Sequence, residues 1–543
     1  MNPFRPDIQV YDTTLRDGTQ RAGLSLSLDD KLRVARRLDE LGVTFIEGGW
    51  PGSNPKDAEF FARARDMQWD TATIASFGST RRVGGAPEDD VNLKALVAAG
   101  TAVCTIFGKT STLHVTEVLR TTLEENLKLI EDSIAFLRSN GPRVIYDAEH
   151  FFDGYKADSA YALATLEAAV RGGAEVLALC DTNGGTLPFE IETIFTVVRA
   201  KIANVMLGVH THNDGECAVA NAIAAVRAGA VHVQGTINGY GERCGNANLC
   251  ALVPNLEIKL GRRCLPEGRL ARLTDAAHYI AELANQNPDE YMAYVGRTAF
   301  AHTAGVHVAA MRRAKDSYQH VEPTLVGNEM HVVVSELSGK GNILSKVEEL
   351  APHLVELAQG GDLTHALRKV KDNEARGFSY EAADASVALL IMRHAPRYRP
   401  LWELVDYMVN VEHRDQRGSF AEATVKVRVD GEVVHTAAEG DGPVNALDNA
   451  LRKALVPTYP EIAHVKLIDY KVRILDGSSA TAATTRVLID STDGVHTWGT
   501  VGASQNIIDA SWHALSDALE YGMRLQTGVL ALPETAKMAK VAG

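Results

Sequence analysis

The sequence predicts an α/β protein: an N-terminal (β/α)8 TIM barrel, then helical linker subdomains, then a C-terminal α+β domain with an internal repeat. Three observations lead there. Strand-like and helix-like segments alternate over roughly the first 260 residues, His210 and His212 stand two apart at the end of the seventh strand, and a pattern of two strands and a helix occurs twice after residue 420. Eight βα units close into a parallel barrel, and the chemistry of such a barrel gathers at the C-terminal ends of its strands.

The eight strands are expected at 8–11, 44–47, 71–76, 102–107, 143–146, 176–180, 205–209 and 231–235. Helical periodicity covers 29–41, 115–138, 159–171 and 216–228 between them. Ser27 suits the N-cap of the first helix, with Asp30 as its N3 partner. Gly42, Gly141 and Gly172-Gly173 fall just past helices, where a residue that accepts positive φ ends the turn. The expected domains are 1–270 for the barrel, 271–405 for the linker, 406–530 for the C-terminal module and 531–543 for a tail.

Alternation on a strand puts His210 and His212 on one face, as a pair of candidate metal ligands. Asp17, in the run DTTLRDGTQ, stands to strand one as His210 stands to strand seven, and closure brings both loops to one mouth. Glu47, Glu149, His150 and Asp181-Thr182-Asn183 also fall on this rim. Each reads equally well as a helix cap or a salt-bridged rim residue.

Composition narrows the class. With 543 residues, 45% hydrophobic and 23% charged, the chain is expected to fold as several soluble domains. A formal charge of -14 argues against nucleic acid as a partner, and no apolar run suggests a membrane span. The first six residues lack an apolar signal core, and none of the six cysteines forms a C-x-x-C pair, so a cytoplasmic, reducing location is expected.

The run VYDTTLRDGTQRAG, with HTHNDG and NGYGERCGNANL, resembles the metal-dependent synthase and lyase superfamily with an Asp-Arg-Glu barrel site. Within it the resemblance is to the 2-isopropylmalate, homocitrate and citramalate synthases. It implies a divalent metal, Mg2+, Mn2+, Co2+ or Zn2+, held by Asp17, His210, His212 and Asn246. Arg16 is then a catalytic and substrate-binding residue that stabilises an alkoxide, with Gln20 and Thr182 as further substrate contacts. Glu149 matches the family's catalytic glutamate. Relatives carry Phe-Ser-x-Glu-Asp where this chain has Tyr146-Asp147-Ala148-Glu149-His150, so Asp147 competes for that place. Cys244 reads as a small buried side chain rather than a thiolate ligand.

The implied reaction is a Claisen-type condensation of acetyl-CoA with a 2-oxo acid. The segment GGWPGSNPKD and the overall length favour the citramalate-forming branch, with pyruvate as acceptor. The alternatives are 2-oxoisovalerate in the same chemistry and, further off, an aldol-type lyase. Phe77 and Phe107, at the ends of strands three and four, are the residues whose bulk would discriminate among acids.

Beyond the barrel, 270–287 is amphipathic and 328–399 reads as helical, with Ser338 to Asn342 a linker turn whose spacing does not fit a phosphate loop. By the resemblance, His307 is the candidate general base or part of its relay, and Tyr318 the acid or an orienting hydroxyl. Both would complete the active site across a homodimer. The repeat comprises strands at 423–429 and 434–436 with a helix at 444–455, then strands at 484–489 and 495–499 with a helix at 506–519. In the family such a module is regulatory, and isoleucine is the effector implied for a pyruvate-using enzyme; a purely structural dimerisation domain is the alternative. The segment 478–484 is where relatives place the effector.

Overall fold

Short, β-branched apolar runs followed by amphipathic helices build the first half of the chain. A computed structural model describes residues 5–302, 305–332, 363–380, 382–394, 398–415, 418–475 and 482–527. Eight parallel strands form a closed barrel: β1 (Gln9–Asp12), β2 (Phe45–Gly49), β3 (Thr73–Ser79), β4 (Val103–Lys109), β5 (Arg143–Glu149), β6 (Val176–Asp181), β7 (Met206–Thr211) and β8 (His232–Gly235). Asp12 pairs with Gly235 where β1 meets β8, which closes the ring.

Two packing layers hold it. Tyr11, Phe45, Ala75, Val103, Ile145 and Val176 fill the interior toward the N-terminal ends of the strands. The outward faces of the strands, with residues such as Val10, Ile106 and Leu179, pack against the helices in the main core. Helix α1 (Leu28–Leu41) begins with the expected capping box: Ser27 Oγ accepts from the Asp30 N–H at 3.1 Å, and Asp30 accepts from the Ser27 N–H at 3.2 Å. Helix α2 (Pro55–Arg65) and α3 (Val91–Ala98) follow β2 and β3.

The helix expected at 115–138 is two pieces. A π-helical turn occupies His114–Val118, Arg120 takes a positive φ of 54°, and α4 (Leu123–Ser139) restarts at Thr122, whose hydroxyl accepts from the Glu125 N–H. The second capping signal, Thr122 with Glu125, outweighs the continuous periodicity.

Barrel residues to Phe300, with Val321–Glu329, form one compact unit; Ala301–His320 and the chain from Met330 onward form a second. In the second unit, the stretch read as wholly helical contains a parallel pairing of His331–Val332 with Ala301–His302, besides helices at Leu363–Glu374 and Asp384–Arg393. The turn at 338–342, residues 478–481 of the expected effector segment and the tail lie outside the described residues.

The repeat is present as two three-stranded antiparallel sheets, Trp402–Arg414 with Gly418–Val429 and Glu432–Gly440, and Lys466–Ile474 with Thr485–Thr492 and Thr497–Ser504. Each packs against a helix, Pro443–Leu455 and Ile507–Gln526, through one shared core that includes Val425, Leu447, Ile489 and Leu515. Each lobe thus has one strand more than the sequence pattern suggested. Among the described residues, no helix is long and apolar enough to cross a membrane.

Candidate functional site

The strand ends of the barrel bring four side chains to one buried point. His210, next to last in β7, faces inward, and His212 just beyond the strand bridges to Asn246 on the β8 loop. Asp17 arrives from the β1 loop. His210 Nε2 lies 3.2 Å from His212 Nε2 and 3.3 Å from Asp17 Oδ2, and the Asn246 amide nitrogen lies 3.1 Å from both Asp17 Oδ2 and His210 Nε2. All four side chains are buried.

This donor set fits a divalent cation. Two imidazole lone pairs and a carboxylate oxygen converge within 4.8 Å of one another, a crowding that only a proton or a cation between them relieves. Asp17 Oδ1 and Asn246 Oδ1 are buried without a hydrogen-bond partner among the described residues. Turning the Asn246 amide by 180° exchanges its nitrogen and oxygen and delivers the oxygen to the cluster. A Cβ on Gly241, at φ 153°, would lie 1.8 Å from Asn246 Oδ1, so glycine makes room for that amide.

Electrostatics agree. Burial works to raise the Asp17 pKa, but Arg16 and then His210 overcome it and hold the carboxyl well below its usual range. Burial presses His212 down to about 3, helped by charge on His210. A hydrogen bond to Gln234 fixes the His210 tautomer: the His210 Nδ1–H donates to Gln234 Oε1 at 2.9 Å, and Gln234 Nε2 donates to Asp147 Oδ1 at 2.8 Å. Burial lifts Asp147 to about 7.

Arg16 lies beside the cluster. Its Nε donates to Glu47 Oε2 at 2.6 Å, its Nη1 is 3.5 Å from Asp17 Oδ2, and its guanidinium carbon lies 3.7 Å from the Phe77 ring centre. Buried Glu47 also accepts from the Tyr11 hydroxyl at 2.8 Å and from Thr13. Burial would favour a neutral Arg16, but Glu47 and Asp17 keep it cationic.

Thr182, Glu149, Asp147 and Gln20 line the same cavity, of about 210 Å3. Glu149 is paired with Lys109, whereas Asp147 sits deeper, on Gln234. Thr182 Oγ1 accepts from the His150 N–H at 2.8 Å, and its carbonyl accepts from Arg243 at 2.8 Å, while Arg243 also grips Asp214 with two bonds of 2.8 and 2.9 Å. Asp181 and Asn183 serve structure instead: Asp181 accepts from Thr186, and Asn183 donates to Asp153. Cys244 departs from expectation. It is exposed, because Glu242 to Cys244 form the outer side of a turn in which Arg243 has φ 54° and Gly245 φ 93°. His307 and Tyr318 lie in the second unit, their rings stacked at 4.1 Å.

Sequence reasoning missed Trp50, Lys109, Gln234 and Arg243. Gln234 had a signal, since alternation on β8 points it inward with His232.

The chain matches the HMGL-like family over residues 7–280, the homocitrate synthase post-HMGL domain-like family over 294–375 and the LeuA allosteric (dimerisation) domain over 381–523. A barrel with a buried Asp-His-His cluster, followed by those two domains, defines the class. The chain belongs to the HMGL-like family and, within it, to the group of 2-isopropylmalate, homocitrate and citramalate synthases.

Its similarity is high to the (R)-citramalate synthase of Geobacter sulfurreducens, 52% identical over 95% of this chain and 97% of the relative. The (R)-citramalate synthase of Synechocystis sp. is 51% identical over 96% and 97%. A 2-isopropylmalate synthase of Halalkalibacterium halodurans is more distant, 30% identical over 94% and 96%.

Proposed function

We propose that this chain condenses acetyl-CoA with pyruvate and water to give (R)-citramalate and CoA, in isoleucine synthesis. The observation that carries the reading is the buried Asp17, His210, His212 and Asn246 cluster beside Arg16, opening on a small cavity. Relatives named (R)-citramalate synthase, at 43% to 52% identity, support pyruvate as the acceptor.

Those four residues would hold Mg2+, Mn2+, Co2+ or Zn2+, and such an ion, when bound, polarises the keto carbonyl as a Lewis acid. Arg16 stabilises the negative charge that develops on the keto oxygen as the acetyl methyl carbon attacks the keto carbon. Thr182 and Gln20 hold the substrate in register. The methyl proton passes to His307, as base or as part of a relay through Glu149, with Tyr318 as the acid or an orienting hydroxyl. Water then cleaves the thioester and releases the CoA thiol.

The match to a LeuA allosteric (dimerisation) domain supports a homodimer with a regulatory C-terminal module, for which isoleucine is the proposed effector. Six free thiols support a cytoplasmic setting. The test is release of CoA thiol from acetyl-CoA, with divalent metal and with chelator, comparing pyruvate and 2-oxoisovalerate. Metal-dependent release with pyruvate preferred is expected; preference for 2-oxoisovalerate moves the substrate, and no release with either acid overturns the reading.

A further inference from the structure

The cavity beside the metal-ligand cluster is polar on most sides, but Trp50, Phe77 and Phe107 give it one apolar end. Phe77 and Phe107 are stacked at 5.5 Å, and Trp50 stands edge-on to both at 5.8 and 5.6 Å, close to perpendicular. Arg16 covers a face of Phe77, so the phenyl ring has little freedom to withdraw.

The indole is fixed from outside the cavity. Its N–H donates to Asn92 Oδ1 at 2.6 Å, and Asn92 Nδ2 donates to the Ser79 carbonyl at 2.8 Å. At the other end, the Trp50 backbone N–H donates to Asp57 Oδ2 at 2.9 Å, and Asp57 is paired with buried Lys31. Helix α3, which carries Asn92, approaches β3 closely because residue 78 is glycine: a Cβ there would meet Asn92 and Leu96 at 2.9 Å.

An oxo acid whose keto and carboxylate oxygens face the polar residues turns its alkyl group toward this aromatic end. We propose that Trp50, clamped by Asn92, is the wall that limits that alkyl group to a methyl, with Trp50 the specificity-determining residue and Asn92 its positioning residue. The inference rests on the condensation proposed above. Loss or gain of a methylene in an apolar pocket changes kcat/KM roughly 10- to 200-fold, so a wall that yields produces a measurable change of preference.

The experiment compares kcat/KM for pyruvate, 2-oxobutanoate and 2-oxoisovalerate, by CoA-thiol release, in the full chain and in Trp50→Leu and Asn92→Leu. Trp50→Leu is expected to raise the ratio of 2-oxobutanoate or 2-oxoisovalerate to pyruvate roughly tenfold or more. Asn92→Leu, which keeps the indole but frees its N–H, moves the ratio the same way by a smaller factor. If Trp50→Leu does not fold, Trp50→Phe takes its place, with a rise of threefold or more expected. An unchanged ratio in folded variants overturns the role of Trp50 while leaving the condensation intact. Absence of turnover in the unaltered chain with all three acids overturns the condensation itself, and this inference with it.

Discussion

Arg16 and Glu47 form a buried ion pair, Nε to Oε2 at 2.6 Å, in which the carboxylate is fully enclosed and also bound by Tyr11 and Thr13. Glu47→Gln leaves the largely buried guanidinium short of its main counter-charge. The variant is expected to lose about 3 kcal/mol of stability, because breaking a buried pair strands the remaining charge. Urea unfolding measures that loss, and a preserved midpoint would contradict it.

Gln234 does not line the cavity, yet it sets which nitrogen of His210 carries the proton. Gln234→Leu should weaken divalent-metal affinity by roughly 10- to 100-fold, the usual cost of removing a partner behind a ligating histidine. Calorimetric titration of Mn2+ into the metal-free protein reads this directly.

His232 is enclosed between Tyr11 and Phe45, with ring centres 5.4 and 5.9 Å away. Burial, and then charge on His210, depress its pKa from 6.5 to about 3. A depressed histidine favours the neutral form in the fold, so its contribution is complete above pH 6.5 and is lost as pH falls toward 3. Between pH 6.5 and 5 the loss from this one group is about 2 kcal/mol. Unfolding at pH 7.5 and 5.0 tests it: His232→Gln should lose about 2 kcal/mol less than the parent over that interval.

Arg243 ties the Thr182 carbonyl to Asp214 and so joins the loops after β6, β7 and β8. Arg243→Ala should raise KM for the oxo acid roughly tenfold through displacement of Thr182, with kcat less affected. Steady-state kinetics separates the two. Arg243→Lys keeps the charge but not the two-point grip on Asp214, and is expected to recover only part of the loss.

The barrel was legible because each strand is a short apolar run followed by a turn, and β5 to β7 begin within a residue of where periodicity put them. The Asp17, His210 and His212 cluster was legible because strand ends in a closed barrel share one mouth. The strands Trp402–Arg414 and Lys466–Ile474 were missed for a physical reason. Many of their residues, Leu404, Met408, Ile468 and Ile474 among them, are exposed, so neither strand shows a clean alternation of apolar and polar faces. Trp50, just past β2, and Lys109, the last residue of β4, were missed because position at the end of a strand does not say which way a side chain turns. Asp147 and Glu149, two apart on one strand, share a face, and only depth in the barrel separates them: Asp147 rests on Gln234, Glu149 on Lys109.

The polar line His232, Gln234, His210 and Asp147 runs up the barrel interior from its aromatic floor to its mouth. It makes the centre of this barrel poor material for engineering. A designer who fills it with valine or isoleucine to gain heat resistance would also unlock the imidazole that faces the ligand cluster. Stabilising changes in this protein belong on the outer helices, where a cap like that at Ser27 can be given to an end that has only an apolar residue, such as Leu187 before Pro188–Lys201, without reaching the chemistry.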